Sequence, residues 1–106
     1  MQDYILEICA DSAESAIAAE KGGATRLELC QNLIIGGTTP GPKLFEIVRH
    51  AVEIPVHVLI RPRFGDFCYS DYEMEQIKEE IKMFRELGAD GVVIGVLSPG
   101  GSIDRE

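Results

Sequence analysis

Two rhythms of apolar and polar positions alternate along this chain. A period of two marks short stretches at residues 3–9, 25–30, 56–61 and 90–97, and a period near 3.6 marks the segments between them. The first short stretch ends in Leu6-Glu7-Ile8-Cys9 and the second in Leu27-Glu28-Leu29-Cys30. Strand side chains point alternately to opposite faces, so each ending puts a carboxylate and a thiol on one face and two aliphatic residues on the other. A parallel strand buried on both faces ordinarily reads as a continuous Val/Ile/Leu run. A dry, unpaired carboxylate there costs on the order of several kcal/mol, so its repetition calls for a partner or a function.

The helical segments carry their own punctuation. Asp11-Ser12-Ala13-Glu14 reads as a capping box opening an Ala-rich helix over about 12–21, which Gly22-Gly23 stops. Pro42 suits a first helical turn, and Leu44, Ile47, Val48 and Ala51 predict one buried face up to about Val52. Ser70-Asp71-Tyr72-Glu73 is a second capping box. Behind it runs a stripe of Met74, Ile77, Ile81, Phe84 and Leu87, and Gly88 closes that helix. Residues 31–41, with Gly36-Gly37-Thr38-Thr39-Pro40-Gly41, and residues 62–69 read as loops.

The predicted order is β-α-β-α-β-α-β, which demands right-handed crossovers and a parallel sheet. Polar residues recur on one face of three strands: Glu7 and Cys9, Glu28 and Cys30, His57 and Arg61. A barrel interior can gather such groups at one end, whereas an open sheet covered by helices has less room for them. The expectation is an α/β fold of about four strands and three helices, half of an eight-stranded barrel. Residues 1–106 then form the N-terminal part of one domain.

Composition narrows the classes of partner. At 45% hydrophobic and 26% charged residues, the 106-residue chain suits one globular domain. A net charge of -8 and a pI near 4.7 argue against nucleic acid or an anionic membrane as partner. No apolar run approaches the roughly 20 residues of a membrane span. The N-terminus shows no signal-peptide pattern, and three cysteines in an ordinary core composition fit a reducing cytoplasm.

Ligands of parallel α/β proteins sit at the carboxyl ends of the strands, where Cys9, Cys30, Arg61 and Arg63 fall. Equivalent positions on neighbouring strands lie about 4.8 Å apart. Two thiolates at that spacing could grip a soft ion, Cu(I) before zinc, because Cu(I) accepts few ligands and zinc wants four. Plain packing of both thiols is the alternative. Glu7 and Glu28 could act as acid and base, or hold Arg61 in an ion network. Arg61, Arg63 and the Gly36–Thr39 loop together suggest a pocket for a small anionic metabolite, unless Asp66 and Asp71 neutralise the arginines. His57 reads as a hydrogen-bonded core residue, and Cys68 as a loop thiol.

Several strings resemble the CutC family of copper-homeostasis proteins. They are LEIC-x-DS-x-ES-A at 6–16, GGA-x-RLELC at 22–30, GGTTPG at 36–41, IRPRFGDFCYSDYE at 60–73 and GADGVVIGVL at 88–97. Phe64 departs from the family, which usually has Gly there. The resemblance implies a cytosolic TIM (β/α)8 barrel, often dimeric, with Cu(I) proposed at the cysteines matching Cys9 and Cys30. It also implies a chain about twice this length. A half barrel standing alone would expose strand edges and invite association with a second copy.

Overall fold

The computed structural model describes residues 5–94, in the order β1 (Glu7–Ala10), α1 (Ala13–Lys21), β2 (Arg26–Leu29), a 3-10 turn (Leu33–Ile35), α2 (Pro42–Ala51), β3 (Val56–Leu59), α3 (Asp71–Leu87) and β4 (Gly91–Val93). The four strands are parallel and lie in sequential order, β1-β2-β3-β4. With right-handed crossovers, that order places all three helices on one face of the sheet. Residues 3, 4 and 95–97 of the expected first and fourth strands fall outside the described residues.

The helices start where their chemistry dictates, with one shift. Ser70 caps α3 by accepting from Glu73 N at 3.2 Å, while the Glu73 carboxylate accepts from Ser70 N at 2.9 Å. At α1 the cap is Ser12 rather than Asp11, and Ser15 rather than Glu14 closes the reciprocal bond. A hydroxyl at Ser12 sits one residue nearer the helical turn, so it reaches the free N–H of Ser15. Gly88 ends α3 at φ 101°, a left-handed position that favours glycine.

Between helices and sheet lies one apolar core. Leu27, Leu29, Val56 and Val58 come from the strands, Ile60 from just after β3, and Ala16, Ala19, Phe45, Val48, Ile77 and Phe84 from the helices. Phe45 of α2 meets Phe84 of α3 edge to face, with ring centroids 5.6 Å apart. The buried face of α2 is therefore Phe45 and Val48, with Val52 just beyond. Ile47 is 57% exposed and Ala51 is also outside, so the expected stripe was rotated by about one position.

The amino end of the sheet is held by polar clasps. Asp90 Oδ2 accepts from Arg49 Nη1 at 2.8 Å and from Val56 N at 2.9 Å. Glu20 Oε2 accepts from Glu53 N at 2.8 Å and Ile54 N at 3.2 Å. Thr25 clasps β1, its hydroxyl accepting from Leu6 N at 2.8 Å while its own N–H donates to Leu6 O at 2.9 Å. These contacts stabilise the end remote from the loops that carry function in parallel α/β folds.

Candidate functional site at the open sheet face

Burial alternates along β2 and β3, and the second face is the polar one expected. It carries Glu7, Cys9, Arg26, Glu28, Cys30, His57 and Leu59. The register arranges them differently from the sequence reading. Cys9 lies opposite Glu28, Glu28 opposite His57, and His57 opposite Gly91, giving one row across all four strands. Cys9 and Cys30 are thus not equivalent positions, and Cys30 stands one pleat further toward the carboxyl end.

Within that row, Cys9 Sγ donates to Glu28 Oε2 at 3.5 Å. Cys30 Sγ donates to Ala10 O at 3.7 Å and is buried, while Cys9 is exposed. Desolvation, followed by the Glu28 carboxylate, pushes the Cys9 thiol up. Burial first, then the charges of Cys9, Glu28 and Asp11, pushes Cys30 up to about 11. The thiols are therefore close enough for charge on one to disfavour charge on the other, and both are protonated at neutral pH.

Glu7 does not reach Arg61. It lies opposite Arg26, whose Nε donates to Glu7 Oε2 at 2.6 Å. Arg26 was missed in the sequence, although its place two residues before Glu28 puts it on the same face. An ion pair with both side chains about a third exposed contributes little stability, but it occupies Glu7. Glu7 and Glu28 are thus not one carboxylate pair.

The His57 ring makes no hydrogen bond to another described residue, against expectation. Its ring lies on the backbone of Gly91, where an added Cβ would come within 2.9 Å of Cε1 and 3.0 Å of Nδ1. Glycine is needed there for space. Gly91→Ala is expected to displace the ring and to cost about 1–2 kcal/mol. Thermal melts and the His57 ring proton shifts by NMR check this, and unmoved shifts would count against the contact.

The Gly36–Thr39 loop is closed upon itself. Gly36 N donates to Leu33 O, Gly37 N to Asn32 O, Thr38 N to Gln31 O and Thr39 N to Arg61 O, at 2.7–3.0 Å. Those four N–H groups are committed and do not face an anion, which corrects the cradle expected of this loop. Gly37, at φ 90°, instead lies over Cys30, where a Cβ would stand 3.5 Å from its sulfur.

The arginines work as staples. Arg61 Nη1 donates to Gly37 O at 3.1 Å and Nη2 to Gly65 O at 2.9 Å, with the guanidinium over the Phe67 ring. Arg63 binds Glu73 at 2.7 Å, Asp66 at 3.3 Å and the carbonyls of Asp66 and Cys68, and stacks on Tyr69. Asp66 and Glu73, rather than Asp71, neutralise it. The Ser70 backbone N–H first, then Arg63, holds the Glu73 carboxyl below its ordinary range. Cys68 is half-buried, with its N–H on Asp66 Oδ1.

Above the first two strands lies a cavity of about 340 Å³ lined by Asp11, Asn32, Leu33 and Ile34. Among the described residues no three His, Cys, Asp or Glu side chains are grouped to hold a metal ion. No described helix is long and apolar enough to cross a membrane. On the open sheet face, the soft donors among the described residues are the thiols of Cys9 and Cys30.

Comparison with known proteins places this arrangement. The model of the CutC family matches residues 4–106. The chain is 52% identical over 103 residues to the copper homeostasis protein cutC homologues of Mus musculus and Homo sapiens, covering 97% of this chain and 38% of each of theirs. It is 52% identical over 101 residues to a CutC family protein of Porphyromonas gingivalis, covering 41% of that protein. The crystal structure of CutC from Streptococcus agalactiae superposes with a TM-score of 0.86 at 37% identity, over 95% of this chain and 50% of that one. The chain thus spans about two-fifths of the length of these curated relatives.

Proposed function

Because this chain belongs to the CutC family, we propose that it serves copper homeostasis by binding Cu(I) through the thiolates of Cys9 and Cys30. The observation that carries this reading is the diagonal placement of two thiols on one face of adjacent strands. One strand spacing combined with one pleat separates their Cα atoms by about 8 Å. That exceeds the roughly 4.4–6.8 Å at which cysteines bridge directly, so the pair is spaced for an ion between them rather than for a disulfide. Cu(I) is the soft ion content with two such ligands. The Gly37 loop covers Cys30, and exposed Cys9 offers the approach. Glu28 beside Cys9 is placed to orient that ligand.

Three free cysteines suit a reducing compartment, so the cytoplasm is the setting proposed. The rival reading is an enzyme for a small anionic metabolite, with Glu7 or Glu28 as acid/base and Arg61 and Arg63 as anion ligands. It has less support, because the glycine loop spends its N–H groups internally and Arg63 is held by two carboxylates.

Titration of the protein with Cu(I) against a competing chelator tests the proposal. Cys9→Ser/Cys30→Ser is expected to lower affinity by more than about 100-fold, since soft thiolates are replaced by hydroxyls. Retention of affinity in the double variant would sink it.

A further inference from the structure

Residues 31–38 fold back on themselves as a small closed unit at the carboxyl end of β2. Gln31 and Thr38 pair antiparallel, Thr38 N donating to Gln31 O at 2.7 Å and Gln31 N to Thr38 O at 3.0 Å. Asn32 Nδ2 donates to Thr38 Oγ1 at 3.0 Å, and Gly37 N to Asn32 O at 3.0 Å. A segment held by its own bonds keeps its shape when it moves, so its opening is decided by what fastens it to the rest. Among the described residues, the hydrogen bonds that fasten it to β3 come from Arg61. The guanidinium Nη1 donates to Gly37 O at 3.1 Å. The Arg61 main chain holds the hinge, its N–H donating to Thr39 Oγ1 at 2.8 Å and its carbonyl accepting from Thr39 N at 2.9 Å.

We propose that residues 31–38 are a lid over the Cys30 thiol and that the Arg61 side chain is its latch. Two glycines at positive φ show the fit from both sides. A Cβ on Gly36 would come within 2.9 Å of Arg61 Nη1, and one on Gly37 within 3.0 Å of Leu59 Cδ2 and 3.5 Å of Cys30 Sγ. The first glycine admits the latch, and the second lets the backbone close on the thiol. Beneath them Cys30 is 1% exposed. The other arm of the guanidinium, Nη2, donates to Gly65 O at 2.9 Å, and its plane lies over Phe67. The latch is thus anchored in the 62–69 loop, and its release at Gly37 O leaves the apolar core untouched. The consequence for copper rests on the reading of Cys9 and Cys30 as ligands. An ion met by Cys9 gains its second thiolate only when the lid lifts, so Arg61 is a positioning residue that sets the rate of loading.

The lid itself is tested on the metal-free, reduced protein. Maleimide labelling of Cys30 is followed by peptide mapping at several pH values, which separates access from ionisation of the thiol. Amide exchange of Gly36, Gly37 and Thr38, and of Leu27 and Leu29 in β2, is followed alongside. In the unsubstituted protein Cys30 is expected to share the protection of the lid amides, well below that of Leu27 and Leu29. Arg61→Ala should speed Cys30 labelling and lid exchange together, by about tenfold or more, and leave Leu27 and Leu29 unchanged. Cys30 protected as deeply as Leu27 and Leu29 overturns the lid, because the thiol then opens only with the whole fold. An unchanged Cys30 rate in Arg61→Ala overturns the latch. Stopped-flow mixing with chelated Cu(I) reads the consequence: loading of Arg61→Ala should quicken by the same factor as labelling, and an unchanged rate overturns control of copper entry. Absence of any Cu(I) binding strikes the copper reading instead and leaves the thiol and amide results to decide the lid.

Discussion

Copper(I) affinity is expected to climb about 100-fold for each unit of pH between roughly pH 6 and 9, because each of two thiols must lose a proton to bind. The sign follows from the raised thiols. Burial and the carboxylates of Glu28, Glu7 and Asp11 hold the protons on Cys9 and Cys30, Cys30 up to about 11. Through that window both sites are filled by protons, and each pH unit removes a tenfold competition at each sulfur. The gain flattens only as the pH reaches the folded pKa of each thiol. Chelator competition at several pH values measures the slope. A rise of about tenfold per unit would mean that one thiolate binds, and a flat profile would exclude thiolate ligation.

The largest loss of stability is expected from Phe45→Ala or Phe84→Ala. Both rings are fully buried and meet edge to face where α2 packs on α3. Truncating either leaves a cavity and costs about 3–5 kcal/mol. A domain of this size has only about 5–15 kcal/mol in total, so the variants should stand near the edge of folding. Melting is expected about 15–30 °C lower, measured by circular dichroism. A loss below about 1 kcal/mol would mean that the neighbouring helices close over the gap. The double substitution should cost less than the sum of the two, since the rings share one contact.

Much of this architecture was legible in the residues because local chemistry writes it. Glycines and capping hydroxyls mark helix ends, and alternation marks strands; both belong to short windows. The polar face of the sheet followed from parity alone, and it holds in the structure. What parity cannot supply is how far one strand slides along its neighbour. The crossover through α1 leaves that offset free, so Cys9 was set against Cys30 when it lies against Glu28. The same slip hid the Glu7–Arg26 pair. The glycine loop misled for a different reason. Its residue types allow an anion cradle, but the loop's own carbonyls, with that of Arg61, take its N–H groups, and such closure depends on distances no motif encodes. Phe45 was overlooked because a helical face can be read one position off when apolar residues crowd it on both sides.

The clasp of Thr25 on Leu6 sets the phase of everything that follows. Were the turn before it to gain or lose one residue, β2 would arrive with its faces exchanged. Leu27 and Leu29 would look out onto the open side, and Glu28 and Cys30 would be driven in among the helices. The turn at Gly22–Thr25 is therefore a place where a change of length would exchange the faces of β2. In that sense its spacing belongs to the chemistry of the row as much as any side chain in it.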